Sequence, residues 1–308
     1  MTDLVTVGWL TIDDIVLPDR SCRFGVPGGG ALYSAVGAQI WGPSVGIHSV
    51  AGQPSIAAVR MAIAIRGIDV EGITPIDGNG LLLWLLHESD DSKQQVPKLA
   101  SSSAEGLDRA RPPLPAGYQG ARGFHIAPQS PAGSLENAVR LRQSPHHPIV
   151  TMDLLSDAFI DRRLYLNLDF LQHITAFLPS EAEIQRIWSP PDLTTWLTET
   201  AAAHRCHMVA KLGAGGSLVC DAGTGAIYRV PVVTVQVVDT TGAGDAYCGG
   251  FLAGLVAGRP VVECAAMGTV SASYVIEASG ALATARPEAS ERDKRLAGIL
   301  GQVERLPR

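Results

Sequence analysis

The chain has 308 residues, 46% of them hydrophobic and 18% charged, which supports a full core and excludes a disordered chain. The net charge is −6 with no basic stripe, so the electrostatic footprint of a nucleic-acid binder is missing. No basic segment precedes the first apolar run, and no apolar run is long enough for a membrane span, so a soluble, cytoplasmic protein is expected, with no nucleic acid and no membrane as partner.

In chain order, LVTVG (4–8) predicts a strand and VGIHSV (45–50) another, followed by the helical stretch SIAAVRMAIAIRG (55–67). GFHIA (123–127) reads as a strand, SLENAVRLR (134–142) as a helix and PIVTMDL (148–154) as a strand. ITAFLPS (174–180) predicts a strand with SEAEIQRIW (180–188) as its helix, and CHMVAKLG (206–213) a strand entering a glycine-rich turn. VPVVTVQVV (230–238) is rich in β-branched residues and predicts a strand, and FLAGLVAG (251–258) a helix. Such alternation predicts an α/β fold with a mostly parallel sheet covered by helices on both faces. Two segments break it: TIDDIVL (11–17) and LLLWLLHESDDSKQQVPKLA (81–100) read as strands without intervening helices, the second with an Asp-Asp turn between its arms. An apolar hairpin outside the main sheet must cover something, so it is expected to be a lid, a dimer surface or both. With no repeat and no linker, residues 1–308 read as one domain carrying that lid.

The five cysteines include no CxxC pair and imply no disulfide framework. His204, Cys206 and His207 have a spacing that suits no common zinc site and mark a helix-to-strand junction.

The stretch DTTGAGDAYCGG (239–250) lies between an expected strand and an expected helix. Gly242, Ala243 and Gly244 then occupy a first helical turn, whose unpaired amides and dipole attract an anion. A carboxylate at 245 would repel that anion but suits a base taking a proton from a hydroxyl. The bland reading is a dipole-favoured acid behind a plain glycine turn. Asp13 ends a strand beside Asp14, and neighbouring strand residues face opposite sides, so one of the two can face a cleft and accept hydroxyls from a polyol. A turn role remains its alternative. Gly28, Gly29 and Gly30 allow either close approach to a ligand or a flexible turn. Lys211 is an unusual charge at a buried strand end, with a phosphate or an acidic neighbour as its natural partner.

DTTGAGDAYCGGFLAG (239–254) resembles the C-terminal signature of the ribokinase-like (PfkB) carbohydrate kinases. GWLTIDDIV (8–16), PGGGALYSAVGAQIWG (27–42), LPSEAE (178–183), KLGAGGS (211–217) and ASGALATARP (278–287) are similar to other parts of that family's pattern, so the likeness covers nearly the whole chain. The resemblance implies a three-layer α/β/α ribokinase-like fold with a small β lid. It implies an ATP-dependent kinase acting on a small-molecule alcohol, with Asp245 as base and residues 242–244 as anion hole. Asp13, Gly28, Gly29, Gly30 and Tyr33 fall on the substrate side, and Lys211, Gly213, Gly216 and Thr269 on the nucleotide side. Glu183 falls on the acid that organises water around magnesium, and Asp239 where a monovalent cation such as potassium often binds. The resemblance also allows a homodimer through the lid, since several relatives pair that way while others are monomers. Four positions depart from the pattern: Gly30 and Tyr33 stand where many sugar kinases carry lysine and asparagine, Ser180 replaces the asparagine of Asn-x-x-Glu, and Lys211 stands where threonine is frequent. Ribose is therefore not the expected substrate; sugars, sugar acids, inositols and nucleosides stay open.

Rival readings fit less well. There is no GxxxxGK[ST] and no GxGxxG after the first strand, which argues against a P-loop enzyme and a dehydrogenase. DAGTG (221–225) reads as a hairpin turn. A catalytically idle sensor of a small molecule has no reason to keep an intact GAGD.

Overall fold

The computed structural model describes residues 2–17, 19–87, 93–155 and 162–307. The strands are β1 (Leu4–Val7), β2 (Thr11–Val16), β3 (Cys22–Gly28), β4 (Val45–Gly52), β5 (Ile73–Ile76), β6 (Leu81–His87), β7 (Lys93–Pro97), β8 (Gly123–Ile126), β9 (Ile149–Met152), β10 (Ala176–Phe177), β11 (His207–Lys211), β12 (Ser217–Cys220), β13 (Ile227–Val230) and β14 (Glu304–Arg305). The helices are α1 (Gly30–Gln39), α2 (Ile56–Ile65), α3 (Ala104–Ala110), α4 (Ala116–Gln119), α5 (Pro131–Arg142), α6 (Glu181–Ile187), α7 (Leu193–His204), α8 (Ala243–Val256), α9 (Val261–Ile276) and α10 (Ala289–Leu300).

Ten strands form one sheet in the order β14-β13-β12-β11-β10-β9-β8-β1-β4-β5. From β11 to β5 every pairing is parallel, and β12, β13 and β14 add an antiparallel edge. Successive strand residues face opposite layers. Val5 and Val7 therefore pack with Ala138 and Leu141 of α5 and Leu197 of α7, whereas Leu4 packs with Leu32 and Val36 of α1 and Leu252 of α8. Further along the sheet, Val209 and Val219 pack with Phe251 of α8 and Cys264 of α9. The result is the three-layer α/β/α arrangement expected from the alternation.

A separate four-stranded sheet, β3-β2-β6-β7, forms the lid. β2 runs antiparallel to β3 and parallel to β6, and β6 runs antiparallel to β7. Strand β3 has no counterpart in the sequence reading, because CRFGVPG is exposed over most of its length and shows no apolar alternation. The Asp-Asp turn between β6 and β7 lies outside the described residues.

Two expected strands need correction. Residues 231–238 are not a strand: β13 stops at Val230, and Pro231, which has no amide hydrogen, opens an irregular segment. Its backbone bonds go to the end of α9, with Val238 N–H donating to Ile276 O at 2.7 Å. Val237 is 56% and Val238 49% exposed, whereas Val233 packs against the core. The strand expected over 174–180 shrinks to the two residues of β10, since Pro179 precedes the cap of α6.

Candidate active site

The C-terminal ends of β1, β9 and β11, the start of α8 and the underside of the lid enclose a cleft of about 860 Å³. Helix α8 begins at Gly242, which has φ 74° and brings no capping side chain. Its first turn contains Asp245, and Gly242, Gly244 and Asp245 all line the cleft. The Ala243 amide turns back to Thr240 O at 3.3 Å, and Ala243 does not line the cleft.

Across from α8 stands the triple glycine of the α1 entry. A Cβ on Gly30 would come within 2.8 Å of Asp245 Oδ1 and 2.6 Å of Pro128 Cδ, so any side chain there would displace the carboxylate. Gly28 lies beneath Asp13 and leaves room for its carboxylate in the same way, without reaching the cleft itself. Gly29 lines the cleft as the residue before α1. The lysine frequent in sugar kinases at position 30 would not fit this geometry.

Asp13 and Asp14 separate as strand alternation requires. Asp14 accepts from Gly25 N–H at 2.8 Å and pairs with Lys98. Asp13 points into the cleft, is 3% exposed, and its Oδ1 has no hydrogen-bond partner among the described residues. Burial raises its pKa to about 7, against the pull of the nearby Lys98 ammonium. A substrate hydroxyl is the natural donor for that orphaned oxygen.

On the opposite wall, Ser180 and Glu183 form a reciprocal capping box at the start of α6. Ser180 N–H donates to Glu183 Oε2 at 2.6 Å, and Glu183 N–H donates to Ser180 Oγ at 3.2 Å. The backbone amide of Ser180 thus holds the Glu183 side chain at the edge of the cleft, while its hydroxyl caps the helix. Burial, reinforced by the carboxylate of Asp153 and opposed by Lys211, raises Glu183 to about 7.

Lys211 leaves the end of β11 and ion-pairs with Asp153, so the acidic partner of the two alternatives is the one present in the fold. Burial pulls its pKa down, but Asp153, Cys248 and Glu183 outweigh this and hold the ammonium protonated. Its Nζ lies 3.4 Å from where a Cβ on Gly244 would be, next to the start of α8. Asp153, directly after β9, was missed from the sequence, although an acid at a strand end was the signal used for Asp13, which the structure places inside β2 instead of at its end.

The other expected residues divide. Tyr33 and Gly213 line the cleft, whereas Gly216, Thr269 and Asp239 do not. Gly216 closes the β11–β12 turn at φ 83°, and Thr269 is buried within α9. Asp239 accepts from Thr241 N–H at 2.8 Å and Ser279 Oγ–H at 3.1 Å, with His87 Nε2 of the lid 3.7 Å away. His87 also contacts Thr241 Oγ1 at 3.2 Å, a link between lid and signature loop that no local sequence pattern marks. Among the described residues no three His, Cys, Asp or Glu side chains converge on a metal position.

A cleft that holds a carboxylate in the first turn of α8, beneath a small β sheet, fits a phosphotransferase with an alcohol acceptor. The profile of the pfkB family carbohydrate kinases matches residues 20–288, and the chain belongs to that family. A cytidine kinase of Thermococcus kodakarensis is 29% identical over 289 residues, covering 91% of this chain and 98% of the relative. Among solved structures, a ribokinase from Cryptococcus neoformans var. grubii serotype A in complex with ADP has a TM-score of 0.76 at 17% identity, covering 96% of this chain and 100% of that one. A nucleoside kinase of Methanocaldococcus jannaschii, an archaeal member of the ribokinase family, has a TM-score of 0.73 at 20% identity, covering 96% and 99%.

Proposed function

We propose that the chain is an ATP-dependent kinase that phosphorylates a hydroxyl of a small polyhydroxylated metabolite, with residues 1–308 acting as one domain. The observation that carries this is the placement of Asp245 and Asp13 in one cleft, with Gly30 making room for Asp245. Asp13 accepts acceptor hydroxyls and orients one of them toward Asp245. Asp245 takes the proton from that hydroxyl as its oxygen attacks the terminal phosphorus of ATP. The amides at the start of α8 face the charge on the transferring group, and Lys211 adds a positive charge beside Gly244. Magnesium, when bound, neutralises the nucleotide phosphates. Carboxylate oxygens suit it, and Glu183, held by its capping box, is the residue that would order its water shell. Asp239 would hold a monovalent cation outside the cleft.

The lid side favours an acceptor with a flat apolar part. Trp9 donates its indole N–H to Asp108 at 3.1 Å, and with Leu81, Leu83, Leu85 and Leu107 it forms an apolar wall of the cleft. A nucleoside matches this wall and the Asp13 pole together, in line with the cytidine kinase relative. The test is ADP release over a panel of nucleosides, aldoses, sugar acids and inositols, repeated with Asp245→Asn. The variant should retain nucleotide binding and lose roughly 10²–10⁴-fold in kcat. Near wild-type turnover in Asp245→Asn would reassign the base, and no ADP release with any acceptor would favour the idle sensor.

A further inference from the structure

We propose that Tyr33 is a positioning residue for the anion hole, holding Gly242 in the left-handed conformation from which α8 starts; the role rests on the kinase reading above. Gly242 has φ 74°, and a Cβ built on it would clash with the Tyr33 ring, 2.1 Å from Cγ and Cδ1 and 2.5 Å from Cε1. The ring therefore fills the space beside Gly242 and limits how the 242–244 backbone can turn.

The ring is itself fixed. Tyr33 is 3% exposed, and its phenol lies beside the backbone of Ala281. The loop carrying Ala281 is pinned by the Arg66 guanidinium, which donates to the carbonyls of Leu282 at 3.2 Å and Thr284 at 2.8 Å. Helices α1 and α8 also meet backbone to backbone: Gly37 faces the Ala246 carbonyl and Gly249 the Ser34 carbonyl. With no side chains between them, the helices leave the ring little room to slide. An anion hole acts through donors already aimed at the developing charge, so a ring that fixes the aim contributes to the rate without touching the phosphate. Sugar kinases with asparagine at this position have no such ring, and the rival role for Tyr33 is a substrate contact, since it also lines the cleft.

Tyr33→Ala empties the space over Gly242, and Tyr33→Phe keeps the ring while losing the phenol hydroxyl. Melting temperatures establish that both variants fold. Turnover is then measured with the best acceptor of the panel, and affinities for ATP and ADP are measured without acceptor. The expected result is a kcat loss of about 10²-fold in Tyr33→Ala at unchanged acceptor KM, the cost of a misplaced reacting geometry. Tyr33→Phe should recover most of that loss. The preference for ATP over ADP, which reports contact with the terminal phosphate, should fall in Tyr33→Ala and persist in Tyr33→Phe. A raised acceptor KM at unchanged kcat would make Tyr33 a substrate contact and overturn the proposal. So would a folded Tyr33→Ala with wild-type kcat and wild-type ATP preference. If the wild-type protein consumes no ATP with any acceptor, the kinase reading fails, and the nucleotide preferences of the two variants still decide for or against Tyr33.

Discussion

Asp13 is the residue whose cost to the fold can be measured apart from catalysis. Its carboxyl is held at about 7 in the folded chain by burial, against an ordinary value of 3.8. Between those pH values the folded state binds more protons than the unfolded state, so stability falls as pH rises through that window. Asp13→Asn should remove this part of the slope and become more stable than wild type above about pH 7. Denaturation midpoints of both proteins at about pH 5 and about pH 8 check this. Glu183, also raised to about 7, adds a slope of the same sign to both proteins, so the difference between them is the readout. Equal pH dependence in the two would show that Asp13 is not held protonated by burial. Asp13, Glu183 and Asp245 were legible because each stands in a short local pattern. Asp153 and His87 were not, because their partners Lys211 and Thr241 are 58 and 154 residues away in the chain.

Helices α1 and α8 meet backbone to backbone beside the cleft. A Cβ on Gly249 would run into the Ser34 carbonyl, and backbone cannot yield as a side-chain tip can. Gly249→Ala should therefore destabilise the chain by about 1–3 kcal/mol, the usual cost of overpacking, and lower turnover by parting the two helices. A thermal melt matching wild type would show that the helices do not meet as closely as described. Strand–helix alternation was readable because buried parallel strands are short apolar runs with glycine or proline at their ends. The same criterion failed on residues 231–238: β-branched residues favour extended backbone, but whether that backbone pairs depends on which strands lie beside it. There β13 already has its partners, and the segment bonds to the end of α9 instead.

The whole molecule leaves an apolar surface on its lid. One face of β6 carries Leu83 and Leu85, buried over the cleft, while Leu82, Trp84 and Leu86 point the other way. The chain covers part of that outer face itself: the Phe24 ring meets Trp84 edge-on at 6.3 Å, and Lys98 Nζ lies 4.7 Å over the indole. Phe24 remains 67% exposed and Val96 40%, on the two edge strands of one small sheet. We expect this face to pair two chains as a homodimer through their lids. Sedimentation at micromolar concentration should show a dimer, and replacing Trp84 and Leu86 by Ser should weaken it and raise acceptor KM. A wild-type monomer, with and without acceptor, would remove the dimer and leave Phe24 and Lys98 as the cover for Trp84.

What the sequence determined by itself was what neighbouring residues decide: the period of most buried elements, the glycine-flanked start of α8 with its acid in the first turn, and the acid three residues after Ser180. These depend on backbone geometry over a few residues, so their pattern is written locally. Only the tertiary structure decided that Asp153 answers Lys211, that Gly30 yields its side-chain space to Asp245, and that the Tyr33 ring rests on Gly242. Each of these is a packing relation between elements far apart in the chain, where residue type permits many partners and the close-packed core selects one.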